Sequence, residues 1–465
     1  MVTMEEQYLT LELEKAVEWM AGFAGRGLVS YIIPIPPADL LNVFANGSKL
    51  SVHRRAFWSE DRGVTFVGIG AALEYNAQGD RRFQETEEWY QQVIHHAVKN
   101  RIIYGTGPLM IGGFSFSDKV QSVGEWQHFP SAGFFIPRYL FTEKDDQAWL
   151  TINMHLRSGF SKDEMLNRLK NDLQILLFSQ EKQDTPDLKI LQKVSDHRED
   201  WLQAAREIID RIRAGHVDKV VLSRTLNIIL NKILEPAILL KKLYANRTYG
   251  FVFAIEREGD CFLGATPERL VKRDGEHLYV DCLAGTDRRG RTAAEDEAIG
   301  QSLLQDSKNL AEHRFVVESI IETMQAFCET ISAPGYPRLV KTESVQHLYT
   351  PVRGQMKKTA SLFEVIGALH PTPAMGGSPR ERALAMIGEL EPHERGWYAA
   401  PVGWTDGFQY GDFAVGIRSV LLSGQKLRLF AGCGIVKDSK PDQEYEETEM
   451  KFRPILRALE GVLHV

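Results

Sequence analysis

Two glutamates and a lysine fall on one face of a helix predicted near the carboxyl end of the chain. The run P-D-Q-E-Y-E-E-T-E-M-K places Glu444, Glu447 and Lys451 at positions i, i+3 and i+7, which lie above one another on a helix. Neighbouring carboxylates repel unless a cation lies between them, and carboxylate oxygens with water suit Mg²⁺. A solvated acidic face paired with Lys451 is the alternative. Glu312, in N-L-A-E-H-R, could share the cation if its helix lies against this one.

Three further charged residues stand among apolar neighbours. Glu268 follows a strand in G-A-T-P-E-R-L, where an apolar setting would raise its pKa and suit a general acid; pairing with Arg269 would instead make it structural. Lys219 leads K-V-V-L-S-R, where burial would lower its pKa toward that of a general base, unless it is an edge lysine that reaches solvent. Arg418, placed mid-strand in V-G-I-R-S-V, needs an anionic partner, internal or bound.

A strand of small residues precedes the last helix. In A-G-C-G-I-V, residues 431–436, the glycines would let backbone amides approach a carboxylate. A β-bulge or a tight corner would explain the same residues.

The elements that must position these residues follow from hydrophobic periodicity and turn signals. Helices are predicted over 4–22, 236–246, 295–328 and 441–460, and Ser195-Asp196 is expected to cap another that ends before Gly215. Strands are predicted over 28–35, 64–69, 109–116, 219–229, 249–256, 261–267, 277–284, 344–352, 400–407, 413–423 and 426–436. The polar segment 179–189 is expected to be a linker or exposed loop. Strands that follow one another without helices predict an α+β fold with antiparallel sheets, rather than a doubly wound one.

Composition narrows the class of protein. The 465 residues are 43% hydrophobic and 25% charged, with a net charge of −7, so we expect no nucleic acid as the main partner. No stretch approaches the roughly 18 apolar residues of a spanning helix, and M-V-T-M-E-E-Q-Y does not read as a signal peptide. The four cysteines show no C-x-x-C spacing, which predicts buried reduced thiols. We therefore expect a cytoplasmic protein that does not use a membrane.

Taken together, these segments resemble the chorismate-utilising enzymes, which comprise anthranilate, aminodeoxychorismate, isochorismate and salicylate synthases. The matching segments appear in family order over about 195–465: K-V-V-L-S-R, G-A-T-P-E-R-L, L-A-G-T, A-E-H, H-P-T-P-A-M-G-G-S-P-R, W-Y-A-A-P-V-G-W, V-G-I-R-S-V and A-G-C-G-I-V-K-D-S-K-P-D-Q-E-Y-E-E-T-E-M-K. The resemblance implies two large, mostly antiparallel sheets packed together, with helices outside and the active site between them. Residues 1–195 would contribute strands to the fold, and 196–465 would form the chorismate-binding catalytic region.

Within that family, single residues favour an isochorismate synthase. Lys219 matches the lysine that activates water in isochorismate and salicylate synthases, where anthranilate synthases have glutamine. Ala284 stands where aminodeoxychorismate synthases usually carry lysine, and Ala374 where salicylate and anthranilate synthases tend to have threonine. The length of the chain favours the menaquinone-pathway type. A salicylate synthase, a siderophore-pathway isochorismate synthase and a non-catalytic chorismate-binding subunit remain alternatives.

The resemblance also implies a role for each site residue. Lys219 would be the base and Glu268 the acid, and Mg²⁺ would be held by Glu312 and Glu447, with Glu444 contributing directly or through water. The other residues that would bind chorismate are Thr286, His347, Ala374, Tyr398, Arg418, Gly432, Gly434 and Lys451. No amidotransferase subunit is expected, since the nucleophile would be water.

Overall fold

A computed structural model describes residues 4–118, 124–157, 159–179, 187–247, 249–342 and 345–463. None of the helices in these ranges is long and apolar enough to cross a membrane. Most of the predicted linker, residues 180–186, lies outside the described ranges. All four cysteines are buried and free, as expected.

Helices occupy both ends of the chain and the connections between groups of strands. Those of the described residues are α1 Met4–Ala21, α2 Leu40–Asn46, α3 Arg82–His96, α4 Lys162–Phe178, α5 Arg198–Arg213, α6 Pro236–Ala245, α7 Ala293–Gln305, α8 Ser307–Gln325, α9 Leu362–Leu369, α10 Arg380–Leu390 and α11 Pro441–Glu460, with a 3₁₀ turn at Gly47–Lys49.

Strands supply the frame that carries the site. Within the described ranges they are β1 Leu28–Ile35, β2 Arg54–Glu60, β3 Thr65–Ala77, β4 Val98–Lys99, β5 Met110–Phe114, β6 Ala132–Lys144, β7 Gln147–His155, β8 Ile190–Ser195, β9 Lys219–Leu230, β10 Phe251–Arg257, β11 Asp260–Thr266, β12 Arg269–Asp274, β13 His277–Arg288, β14 Cys328–Ser332, β15 Arg338–Lys341, β16 Val345–Met356, β17 Gly377–Ser378, β18 Pro401–Thr405, β19 Tyr410–Val415, β20 Ser419–Ser423 and β21 Lys426–Ile435.

Two large sheets meet at the long strand β6. One edge of β6 pairs with β3, and its other edge pairs first with β5 and then with β7. The first sheet continues from β3 through β2, β10, β11, β20 and β21 to β9. The second continues from β5 through β18, β19, β12 and β13 to β16. Pairing is antiparallel except between β1 and β4, which confirms the α+β class, with hydrogen bonds running from one sheet to the other through β6.

The first sheet is buried on both faces because side chains alternate along each strand. In β10, Phe253 belongs to the core between the sheets, whereas Val252 and Ala254 belong to the core beneath the outer helices. Helices α1, α2, α4, α6 and α11 cover that outer face. The space between the sheets holds a second, aromatic core and, at one end, the candidate site.

Strand pairs also join the two regions predicted from the sequence. Strand β2 pairs with β10 and β5 pairs with β18, so each sheet contains strands from both sides of residue 195. The division of the chain at that point stays a prediction.

Three sequence-based expectations about elements were wrong. The helix predicted over 295–328 is two helices, because Asp306 ends α7 and caps α8 by accepting a hydrogen bond from the Asn309 N–H at 2.7 Å. The strand predicted over 413–423 is β19 and β20, and Arg418 lies in the break with φ 49°. Asp196 does not cap α5; it accepts hydrogen bonds from the backbone and hydroxyl of Thr225 at 2.6 and 2.9 Å.

Candidate active site

One cavity between the two sheets gathers nearly all the residues singled out in the sequence. It is lined by Lys219, Glu268, Thr286, Glu312, His347, Ala374, Tyr398, Arg418, Gly432, Gly434, Glu447 and Lys451. Strands β9 and β21 supply one wall, and β13 and β16 the facing wall. Of the predicted site residues, Glu444 does not line this cavity.

Lys219 is the first residue of β9, and its side chain lies across the neighbouring strand. Its Nζ is 2.7 Å from a carboxylate oxygen of Glu312. A Cβ added at Gly434 would be 2.6 Å from Lys219 Cε, closer than real Cβ contacts allow. Gly434 therefore makes room for the lysine, a role that the sequence did not reveal.

Glu268 lies in the short connection between β11 and β12. Its N–H donates to Thr266 Oγ1 at 3.3 Å, and its carbonyl accepts from the Val415 N–H at 2.9 Å. Burial raises the pKa of Glu268 to about 8, although Arg418 and other cations partly oppose the rise. The carboxyl is therefore protonated at neutral pH and can donate a proton.

The alternative that Arg269 pairs with Glu268 was wrong. Arg269 Nε donates instead to Asp412 at 2.9 Å, and the same guanidinium also pairs with Glu60 and Asp281. Glu268 is left free of this structural network.

Arg418 presents a guanidinium to the cavity from the break between β19 and β20. Burial lowers its pKa, while Tyr398, Glu447 and Glu268 partly oppose the change. Among the described residues, none forms a hydrogen bond or ion pair with this side chain. Tyr398 beside it is held by stacking on Phe430, with ring centroids 5.1 Å apart. An unpaired guanidinium in a cavity favours an anionic ligand.

A bulge in β13 turns consecutive residues toward the cavity. Leu283, Ala284, Gly285 and Thr286 all line it, which a regular strand with alternating side chains could not achieve. Gly285 has φ 77°, a conformation that glycine adopts without strain.

His347 faces this bulge and is held by it. The hydroxyl of Thr286 is 2.8 Å from His347 Nδ1. Burial lowers the pKa of His347 to about 3, so the imidazole is neutral. Its Nε2 is buried with no hydrogen-bond partner, which leaves one ring nitrogen for a bound ligand.

The other three acidic residues predicted for the site, Glu312, Glu444 and Glu447, are each paired with a lysine or a serine. Lys451 Nζ is 2.7 Å from Glu447 and also donates to the carbonyl of Gly432 at 2.7 Å. Burial raises the pKa of Glu447, but Lys451 and two other cations outweigh it and lower the pKa overall. Glu444 accepts a hydrogen bond from Ser439 at 2.7 Å, and burial raises its pKa.

The fit of these acids to Mg²⁺ is partial. Across the residues that the structure describes, no three His, Cys, Asp or Glu side chains are grouped closely enough to hold a metal. Mg²⁺ commonly takes one or two protein carboxylates and fills its remaining positions with water and substrate oxygens. Glu312 and Glu447, which line the cavity, fit that pattern, whereas Glu444 does not line it.

Sequence reasoning missed the apolar walls of the cavity. These are Val221, Pro267, Leu283, Met375, Ala399, Ile417 and Cys433. Each has a residue type typical of any core, so its type alone gave no signal. Their position beside a charged motif residue, as with Pro267 before Glu268, was the available clue.

A family model described as chorismate binding enzyme matches residues 15–460. The fold and the site thus define an enzyme of this family, and the chain belongs to it. This confirms the family inferred from the motifs.

Individual relatives are isochorismate synthases. The chain is 40% identical over 442 residues to the isochorismate synthase MenF of Bacillus subtilis. The match covers 93% of this chain and 94% of the relative. It is 35% identical over 440 residues to the salicylate biosynthesis isochorismate synthase of Pseudomonas aeruginosa, covering 94% and 90%. The solved structure of the menaquinone-specific isochorismate synthase MenF of Escherichia coli covers 97% of this chain and 100% of its own, with TM-score 0.80 and 25% identity.

Proposed function

We propose that this protein is an isochorismate synthase, an isomerase that converts chorismate into isochorismate with Mg²⁺. The observation that carries the proposal is that Lys219 and Glu268, an amine and a protonated carboxyl, line one cavity from different strand ends. The names of the relatives support the same reaction.

The reaction moves a hydroxyl group around the ring. Water adds at C2 of chorismate, the double bonds shift, and the hydroxyl at C4 leaves as water. Lys219 is the base that takes a proton from the attacking water, and Glu268 gives a proton to the departing oxygen. The two must act on opposite faces of the ring. The raised pKa of Glu268 supplies the acid in its active form at neutral pH.

Chorismate is a dianion, so we assign its binding to the part of the cavity lined by Arg418. Arg418 and Tyr398 would hold the enolpyruvyl carboxylate, with backbone near Gly432 and Gly434. His347, oriented by Thr286, offers Nε2 for a hydrogen bond with the substrate. Ala374 contributes a small apolar side chain to the wall of the cavity.

Mg²⁺ would be held by Glu312 and Glu447, and it would offset the charge of the substrate's ring carboxylate. Each of these carboxylates has an oxygen 2.7 Å from a lysine amine, Lys219 for Glu312 and Lys451 for Glu447. Chorismate would add two negative charges beside the carboxylates of Glu312 and Glu447. Because like charges repel strongly in a low-dielectric cavity, we expect its binding to need a further cation.

The test is incubation with chorismate and Mg²⁺, followed by chromatographic identification of the product. We expect isochorismate, and no product when EDTA removes the metal. Full turnover in metal-free buffer would contradict the Mg²⁺ assignment. Pyruvate release, measured with lactate dehydrogenase, would instead indicate a salicylate synthase. Formation of anthranilate in the presence of ammonium salts would indicate an ammonia-using synthase.

We further propose that the product feeds menaquinone biosynthesis, because the similar Escherichia coli structure is described as menaquinone-specific. Expression in a bacterium that lacks its own isochorismate synthases should restore menaquinone. The cytoplasmic location stays a prediction.

A further inference from the structure

A second cavity, of about 980 Å³, lies behind the wall of the candidate active site. The first turns of α3 and α10 line it, together with the segment that follows each of α9 and α10. One stretch of chain separates the two cavities: His370 and Pro371 line the second, and Ala374 and Met375 line the first. Its size is within the range of small-molecule sites.

Arg82 reaches this cavity with unused hydrogen-bonding capacity. The residue is only 6% exposed, and its Nε is buried with no partner. Its other nitrogens donate to the carbonyls of Gly79 and Ser115 at 3.3 and 3.5 Å, both long for such bonds. Burial lowers the pKa of Arg82 to about 10.

A second guanidinium lines the same space. Arg380 donates to the carbonyls of Ala368 and Gly367 at 2.9 and 3.2 Å. Within the described ranges, neither Arg82 nor Arg380 is in an ion pair. Arg380 lies close enough to lower the pKa of Arg82 further, so two like charges share one cavity.

The remaining charges of the cavity do not cancel these two. Glu391 is fully engaged by Arg395 at 2.5 Å. Asp80 and Asp118 partly offset the positive charge, since both raise the pKa of Arg82, but each is beyond ion-pair distance of it. Helices α3 and α10 both begin without a side-chain cap, so their first turns add positive potential.

Aromatic rings lie beside the guanidinium groups. Arg82 stacks on Phe83 at 4.6 Å, and Arg395 stacks on Phe116 at 4.2 Å. The ring of His370 lies 6.3 Å from Phe83 and 5.7 Å from Phe116. Burial lowers the pKa of His370 to about 3, so this ring is neutral. The cavity therefore combines cationic donors with flat apolar surfaces.

We propose that this cavity binds a small aromatic carboxylate, with its carboxylate on Arg82 and Arg380 and its ring against the aromatic side chains that line the cavity, Phe83 and Phe116. The pairing offsets the charge of two guanidinium groups that have no ion-pair partner among the described residues. Guanidinium groups bind carboxylates through paired, charge-assisted hydrogen bonds.

Arg395 contacts the walls of both cavities. This residue lines the second cavity and donates to the carbonyls of Met375 and Val221 at 2.9 and 2.7 Å. Both acceptors line the first cavity. A ligand that moves Arg395 would therefore shift two wall residues of the active site.

The test is calorimetric titration of the full-length protein with benzoate, and with benzamide as its uncharged analogue. We expect benzoate to bind and benzamide to bind at least about tenfold more weakly, since the neutral amide cannot form charge-assisted hydrogen bonds with the two guanidinium groups. Arg82→Gln should weaken benzoate binding by about tenfold or more. Arg81→Gln is the matched control, because that neighbouring side chain is 59% exposed and does not line the cavity; it should leave binding unchanged.

Two further variants test whether benzoate binds in this cavity or in the active site. If Arg82→Gln does not fold, Arg380→Gln replaces it, because that residue is exposed at a helix start and should tolerate the change. Arg418→Gln should retain benzoate binding, which separates this cavity from the active site. Absence of benzoate binding, or binding lost in Arg418→Gln but unchanged in Arg380→Gln, would overturn the proposal.

Discussion

At the scale of single residues, chemistry was easier to predict than packing. Lys219 and Glu268 were visible in the sequence because a charge within an apolar run is costly to bury. The structure places both in one cavity. The role of Gly434 could not be predicted, because it depends on a side chain from another strand. The apolar wall residues escaped notice because they look like any core.

The pKa of Glu268 predicts the alkaline limit of activity. Burial raises this pKa to about 8, so the carboxyl holds its proton below that pH and loses it above. The value of kcat/KM, which reports the pKa values of the free enzyme, should therefore fall as the pH rises through about 8. Glu268→Gln should lower the rate by about 10²–10⁴-fold and abolish this decline. An unchanged alkaline limb in Glu268→Gln would show that another group is responsible.

Gly434 offers a test that separates positioning from folding. In Gly434→Ala the new methyl would meet Lys219 Cε, the far part of a flexible side chain, which can move at little cost in stability. The reactive amine would be displaced, and we expect the rate to fall by roughly 10²-fold with little change in melting temperature. Gly335→Ala is the control, because its added Cβ meets nothing within 4 Å. Normal activity in Gly434→Ala would contradict the assigned position of Lys219.

At the scale of elements, long periodic segments were predicted well and their interruptions were not. The last helix was predicted with its observed limits, 441–460, because Pro441 and a regular apolar face mark it. The break at Asp306 was missed because apolar periodicity continues on both sides of it. The break before β20 was missed because G-I-R reads as strand, although Arg418 adopts a left-handed conformation there.

A buried ion pair fixes the wall of the active site to β9. Glu391 pairs with Arg395 at 2.5 Å and accepts from the Ser223 N–H at 2.6 Å, while Arg395 holds Met375. Arg395→Met leaves the buried carboxylate unpaired, so we expect the free energy of unfolding to fall by about 3–5 kcal/mol. The measurement is denaturant unfolding.

The control for this pair is an exposed one. Arg211 pairs with Glu389 at 2.7 Å, with side chains 28% and 55% exposed. Arg211→Met should change the free energy of unfolding by less than about 1 kcal/mol. Equal losses in the two variants would show that the buried pair has no special part in the fold.

At the scale of the whole molecule, the sequence predicted the class of fold but not how its parts are joined. Runs of successive strands indicated antiparallel sheets, as observed. The connection through β6 depends on pairing between distant strands, which local patterns do not encode. The same holds for the pairing of β2 with β10 and of β5 with β18 across residue 195.

That pairing predicts that the catalytic region does not fold alone. A fragment of residues 196–465 would leave edges of β10 and β18 unpaired, and exposed edges aggregate. We expect the fragment to be insoluble or to melt without cooperativity, whereas the whole chain should melt in one transition. A soluble fragment with a cooperative melting curve would show that the first 195 residues are dispensable for folding.

The central claim is that an amine and a carboxyl in one cavity add water at one carbon and release a hydroxyl from another. The direct measurement is turnover of chorismate in ¹⁸O-labelled water with Mg²⁺, followed by mass spectrometry and NMR of the product. The account predicts isochorismate with one solvent oxygen at C2 and its enolpyruvyl group intact, and no labelled product with Lys219→Ala. Isochorismate without solvent oxygen would mean that the hydroxyl moves within the substrate, and it would contradict the account.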